Sequence, residues 1–470
     1  MQPQTANRPS RPAAGRVASL REAAGEWFPF GLAPLLILAM TVAAGAYLLL
    51  HPAGRGRADL RMWTFANTHW DAYRKAAGQF ARDANARVAV ELVHTTAVTS
   101  RLRAAFWTGK NIPDLAEVEI TWAGTFFTGP VEQIGFVDLR PYLVRDGLLD
   151  KIVSARLAPY THRGRIFGVP HDVHPVMLAY RRDLFARYGI DANELTTWEE
   201  FIAAGRRVTV ARGGSGDVYM INLAATASHS FEVFLFQRGG GYFNAAGEVI
   251  IDDDLAVDTL KWYTRLLAGP NRIAADPGMD GPGWVNSVQD GLCLTFICPD
   301  WKARMTELQV PALSGRMGLM PLPAFSPGGR RTSTWGGTMI GITAPCRDKD
   351  LAWRWLKQIY LDPAAAGKLM ESTGILPSYR EAWRLPQVSR PVAYWGGQRI
   401  LADYARLADT VPAEHTSPYS ELVKGQVGTA IANAVAYYRR RGEAGFDRFV
   451  RRELSALAAG VRDKQRRNPF

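Results

Sequence analysis

Apolar residues gather at Leu60 to Phe65, recur at helical spacing through Tyr73, Ala77, Phe80 and Ala84, and gather again at Val88 to Val93. That order predicts strand, helix, strand, the unit from which helix-covered sheets are built. The loop from Ala66 to Trp70 then lies beyond the carboxyl end of the first strand, the edge at which open α/β sheets bind ligands. Further along, Val249 to Ile251 reads as a strand, and Leu255, Leu260, Tyr263 and Leu266 mark a helix behind Asp252, Asp253 and Asp254. Acidic residues suit the positive end of a helix, and the spacing of a calcium loop is missing, so these aspartates are read as a cap. Thr197 and Glu200 have capping-box spacing, with Trp198 between them as a packing residue, and Asp362 and Pro363 open another helix in cap and first-turn order. Met339 to Ile342 is a further strand, while Trp353 and Trp355 sit inside a helix and read as core.

The chain has 470 residues, enough for two α/β lobes. Phe28 to Leu50 carries no charged residue and has the length to cross a hydrocarbon core of about 30 Å as a helix. It is a transmembrane anchor or an uncleaved signal, preceded by a cytoplasmic tail (1–27) and followed by a linker (51–58) that includes Pro52 to Arg57. Ala44, Gly45 and Ala46 imitate a cleavage site poorly, because Tyr47 to Leu50 continue the apolar run. No cysteine precedes Cys293, which excludes a lipid-modified N-terminal cysteine. Arginines flank the run on both sides, so charge alone does not orient it.

The formal net charge of +12 raises nucleic-acid binding, but much of the excess crowds the C-terminal region from Arg439 to Arg467 without a recognised binding module. A solvated helix face is the better reading, and no nucleic-acid partner is expected. Gly213 to Gly216 and Gly239 to Gly241 are flexible loops lacking the Lys-Ser/Thr ending of a P-loop, so any ATP-driven step belongs to another polypeptide. Neither a Gly-x-Ser-x-Gly elbow nor a His-Glu-x-x-His zinc motif occurs, and no catalytic activity is expected. His171 and His174 stand at odd separation on a strand and point apart, so no metal is expected. Cys293 and Cys298 likewise face opposite ways and are read as buried free thiols.

Several segments resemble, in order, those of the family 1 extracellular solute-binding proteins. They are Pro113 to Glu117, the aromatic start at Trp122, Gly135 to Leu139, Arg163 to Pro170, and Tyr180 through Gly189 to the Thr197, Trp198, Glu199 helix start. The series continues with Gly291 to Phe296 and its Pro299, Asp300, Trp301 ending, Gly318 to Pro323, Trp335 to Gly337, and Gly374 to Pro377. The resemblance implies a two-lobed periplasmic-binding-protein type II clamshell with an N-terminal transmembrane helix. Its lobes would be 59–172 plus 320–374 and 173–319 plus 375–470. It further implies capture of a sugar or oligosaccharide between the lobes and delivery to the permease subunits of an ABC importer. No cofactor is involved, and the ligand-binding part is a monomeric ectodomain in the periplasm or extracellular space, held to the cell membrane by a single pass. A membrane-anchored sensory or adaptor module using the same clamshell is the alternative.

Sugar recognition needs aromatic faces for C–H surfaces and polar groups for hydroxyls. Trp63, Trp70, Trp122, Trp301 and Trp335 stand near strand ends or glycine-rich loops, from which a side chain reaches a cleft. Trp301 carries the strongest resemblance, although Pro299 and Asp300 depart from the family's Gly-x-Trp corner. Glu117, Asp172, His174 and Asp300 are the polar candidates, joined by Asn67 and Asn222. For each of the four, a structural hydrogen bond is the competing role.

Overall fold

The computed structural model describes residues 32–50, 58–210 and 218–467, and the chain divides into two units, Met1–Ala58 and Asp59–Phe470. In the first, Leu32–Leu50 is a helix of 19 residues. At 1.5 Å per residue that is about 28 Å, just short of a hydrocarbon core. No helix among the described residues is long and apolar enough to cross a membrane, so the expected transmembrane segment 28–50 is not found there as such. Residues 1–27, the linker from Pro52 to Arg57 and the Gly213 to Gly216 loop lie outside the described residues.

Asp59–Phe470 contains two five-stranded sheets. The first runs Val88–Leu92, Leu60–Thr64, Leu115–Glu119, Thr338–Ile342, Val169–Pro170 from edge to edge; its first three strands are parallel and Thr338–Ile342 is antiparallel to both neighbours. The second runs Met317–Pro321, Val176–Arg181, Cys293–Pro299, Tyr219–Asn222, Ala274–Ala275, with Val176–Arg181 antiparallel to both its neighbours.

Both sheets are covered on two faces, which explains why their strands read as nearly continuous apolar runs. In the first sheet Met62, Leu115 and Ile340 meet Tyr73, Phe80, Trp353 and Trp355 on one side. Trp63, Ala116, Val118 and Met339 meet Leu102, Phe126 and Phe136 on the other. The second sheet divides by the same alternation: Val176 and Leu178 join Phe231, Leu260 and Ile431, whereas Met177 and Ala179 join Trp284, Phe296 and Trp395. Onto the former core the helix Phe446–Arg467 lays Val450, Leu454, Leu457 and Val461, spaced for one helical face.

The helix starts follow the predicted chemistry. Thr197 N–H donates to Glu200 Oε2 (2.8 Å), Glu200 N–H donates to Thr197 Oγ1 (3.3 Å), and Trp198 is buried with its indole N–H on Gln237. Of the three aspartates, Asp253 alone caps, accepting from Ala256 N–H. Asp252 and Asp254 instead pair with Arg462 and Arg451 of the C-terminal helix, so part of the basic excess holds that helix in place. Cys293, Cys298 and Cys346 are free and buried.

One lobe boundary needs correction. Residue 320 falls inside Met317–Pro321, which pairs with Val176–Arg181 in the second sheet. Beyond it, Thr332 bonds Val176 and Ser333 bonds Val233, so the chain leaves the second sheet only at about Thr334 to Gly337. A Gly-x-apolar pattern marks a strand but not the sheet it joins, which long-range pairing decides.

Candidate functional site

Three stretches carry the chain between the sheets: His171 to Pro175, Thr334 to Gly337, and Leu376 to Pro377. One buried ladder of charges ties them together. Arg156, fully buried, donates to Asp172 Oδ1 (2.8 Å), Thr334 Oγ1 (2.8 Å) and the Gly336 carbonyl (2.9 Å). Asp172 Oδ2 accepts from Thr338 N–H (2.9 Å) and lies 3.1 Å from His174 Nε2. His174 Nδ1 lies 2.5 Å from Asp300 Oδ1, and Asp300 Oδ2 accepts from Leu376 N–H (2.7 Å). Burial by itself would depress the His174 pKa; Asp172 and Asp300 outweigh it and lift the ring to about 9. Asp172 is held well below the carboxylate range: burial pushes it up, but His174, His171 and Arg156 prevail. The ladder therefore runs cation, anion, cation, anion, and each charge has a partner, as a dry site requires.

The ladder also constrains the backbone. His174 has φ +50, and Gly337 has φ +153 with the Arg156 guanidinium lying where a Cβ would stand. Glycine is needed there for both conformation and space.

Beside the ladder, Glu117 is wholly buried in the middle of its strand, Leu115–Glu119. Oε1 receives His69 Nδ1 (2.8 Å), the Tyr73 hydroxyl (2.8 Å) and the Tyr360 hydroxyl (3.2 Å), and Oε2 receives the Thr64 hydroxyl. Burial raises its pKa, but His69 and Thr64 outweigh that and hold it at about 2.

A second polar group links the end of Leu115–Glu119 to the helix His229–Gln237 on the side of the second sheet. Lys424 Nζ reaches Thr121 Oγ1 (3.3 Å) just past the first strand, and Glu232 (3.3 Å) and Glu414 (3.6 Å) on the side of the second sheet. Burial raises Glu119 to about 7 against the pull of Lys424 and Thr121. A cavity of about 210 Å³ adjoins the group, lined by Gly239 to Gly241, Tyr242, Glu414 and Lys424. A larger groove lies elsewhere, along the helices Asn67–Ala84 and Pro363–Thr373 on the first sheet's outer side.

Beyond the end of Cys293–Pro299, Trp301 and Trp335 meet edge to face at 5.1 Å, with the Trp301 indole N–H donating to the Trp335 carbonyl (3.0 Å). His229 stacks on Trp335 at 5.4 Å with an interplanar angle of 4°. Both indoles are half-buried.

Two sheets joined by three crossings match what the sequence signature indicates independently. The signature of the bacterial extracellular solute-binding proteins matches residues 68–366, more than half of the chain. The chain belongs to that family. This solute-binding protein is 24% identical over 364 residues to the arabinooligosaccharide-binding protein of Bacillus subtilis (strain 168), covering 77% of the chain and 82% of the relative. A protein of the same description from Halalkalibacterium halodurans is 24% identical over 388 residues, covering 81% and 85%. Among solved structures, the sugar-binding protein MalE from the phytopathogen Xanthomonas citri superimposes with a TM-score of 0.70 at 18% identity, covering 86% of this chain and 98% of that one. The fold is thus the α/β two-lobed periplasmic-binding-protein fold, of a family that binds solutes rather than transforms them.

In this solute-binding protein the candidate residues separate into three groups. Asp172, His174 and Asp300 come together in the ladder, and Glu117 stands beside it; internal donors occupy the carboxylate oxygens, and carboxylates face both ring nitrogens of His174. Trp63 sits in the core with its N–H on Glu91, Trp70 donates to the Val90 carbonyl beneath Arg74, and Asn67 is exposed at a helix start, so none of these meets Trp301. Trp301 and Trp335 do come together, Trp122 is half-buried beside Arg103, and Asn222 is buried with its amide N–H₂ on the Gly278 carbonyl. Arg156, Lys424, Glu232 and His229 escaped the sequence reading, since each acquires its meaning from partners far away in the chain.

Proposed function

We propose that this protein captures a sugar or oligosaccharide between its two lobes and delivers it to the permease of an ABC importer. The observation that carries the reading is the pair of half-buried indoles, Trp301 and Trp335, at the strand-end edge beside the three crossings. Aromatic faces beside convergent polar groups suit a sugar ring. The descriptions of the arabinooligosaccharide-binding relatives and of MalE support the same ligand class. Trp122 and Asn222 are proposed as the flanking contacts. Ligand bridging both lobes favours the closed form to the extent that it binds that form more tightly. No catalysis is assigned to the site, and the binding unit is proposed to act as a monomer on the outer side of the membrane, tethered by the apolar segment 28–50.

A carbohydrate panel screened by thermal shift on Asp59–Phe470 tests the reading. A true ligand at a hundred times its Kd stabilises by about 2.7 kcal/mol, and a panel without any stabilising sugar contradicts it. Flotation of the full-length chain with lipid vesicles, lost when 28–50 is deleted, tests the tether.

A further inference from the structure

Lys302 follows Trp301 in the first turn of the helix Asp300–Gln309, and only 1% of it is exposed. A cation there is doubly disfavoured, by desolvation and by the positive end of the helix dipole. Its ammonium donates to the Met279 carbonyl and lies 4.2 Å from the ring centre of Trp284, 5.8 Å from Trp301 and 5.9 Å from Trp335. Indole faces attract a cation but supply no counter-charge. Among the described residues no carboxylate forms an ion pair with it; Asp280, exposed, is the acid whose field reaches it. The neighbouring acids are committed elsewhere: Asp276 to Ala225 N–H and Gly278 N–H, Asp300 to His174, Trp301 N–H and Leu376 N–H. Burial draws the Lys302 pKa down to about 8, as befits a charge without a partner.

The surroundings hold further unpartnered groups. Asn222 and Lys302 hold successive carbonyls, Gly278 and Met279, of one loop. Asn222, itself 1% exposed, leaves Oδ1 without a partner, and so do His229 Nε2 and Trp284 Nε1. A buried cation, the unpartnered ring nitrogen of His229 and the unpartnered indole N–H of Trp284 therefore lie behind the Trp301 and Trp335 faces with no acid to complete them. A ligand carboxylate supplies what is missing, a charge-assisted acceptor for Lys302 and an acceptor for an N–H of the His229 ring, whose pKa burial draws below the ordinary value.

We propose that Lys302, with the His229 ring beside it, forms a cationic seat behind the Trp301 and Trp335 floor that selects uronic-acid sugars over their neutral counterparts. The inference rests on the reading of that floor as the sugar site.

Matched probes test it by titration calorimetry on the full-length chain at pH 7: digalacturonate against galactobiose, and cellobiouronic acid against cellobiose. The acid of at least one pair is expected to bind about tenfold or more tighter than its neutral partner. Lys302→Met should bring that pair to near equality, and Lys302→Arg should keep part of the preference. His229→Phe, which preserves the stacking on Trp335, should lower the preference without abolishing it, and it serves if Lys302→Met does not fold. Equal or tighter binding of the neutral member, or binding of other neutral sugars with none of either acid, overturns the assignment of Lys302 and leaves the sugar reading standing. Failure of every sugar, acidic and neutral, sinks the sugar reading itself and this inference with it.

Discussion

His174 is held between two buried carboxylates, and the consequence is a stability that falls as the solution becomes alkaline. Its pKa is about 9 in the folded protein against 6.5 for the free ring, a difference of 9 − 6.5 = 2.5 units. At about 1.36 kcal/mol per unit this is worth about 3 kcal/mol. Because the folded-state value is the raised one, the contribution is fully present below pH 6.5 and is lost as the pH climbs through 9. Between those limits the folded state holds one proton more than the unfolded state, so stability declines by about 1.4 kcal/mol per pH unit. Urea denaturation of Asp59–Phe470 from pH 6 to 10, set against His174→Asn, isolates the effect. Asparagine tolerates the left-handed backbone that His174 adopts, φ +50, so the substitution removes the charge without straining the chain. The wild-type advantage should be largest at pH 6 and shrink by about 3 kcal/mol by pH 10. Curves that stay parallel over the range would mean that His174 carries no proton in the ladder, and the electrostatic account of the crossings would fail.

Other consequences are accessible to simple variants. Gly337→Ala places a Cβ against the Arg156 guanidinium at a backbone angle that L residues avoid; denaturant midpoints should register a loss of about 2 kcal/mol or more. Glu119, raised to about 7, is ionised at a cost above that pH, so stability present in acid declines as pH rises from 4.5 through 7. Glu119→Gln should therefore raise the melting temperature at pH 8 and leave it nearly unchanged at pH 4.5. Trp301→Ala should weaken sugar affinity by about 1–3 kcal/mol in calorimetry, and an unchanged Kd removes it from the site.

Periodicity and cap chemistry, being local, were legible in the residues themselves. The Leu60 strand, the Thr197 and Glu200 box and the buried Trp353 and Trp355 follow from neighbours a few positions away. Asp172 and Asp300 also stood out, beside a crossing strand and a tryptophan. Their roles did not, because Asp172 is completed by Thr338, 166 positions on, and His174 by Asp300, 126 positions on. A carboxylate placed to bind a hydroxyl and one placed to bind a buried arginine look alike until the partner is known. The same physics hid Arg156 and Lys302, each an ordinary basic residue on a short stretch of helix until tertiary packing removes its water. The lobe boundary near 320 failed for a related reason, since which sheet Met317–Pro321 joins depends on its pairing with Val176–Arg181.

The claim on which everything else depends is capture by closure of two lobes, and a distance across them tests it most directly. Spin labels at Gln79→Cys and Arg206→Cys, both exposed and one on each lobe, report that separation, while the three native thiols are buried. Addition of a stabilising sugar from the panel should shift the distribution to a single, shorter and narrower peak. A sugar that binds and leaves the distribution unchanged would contradict the account.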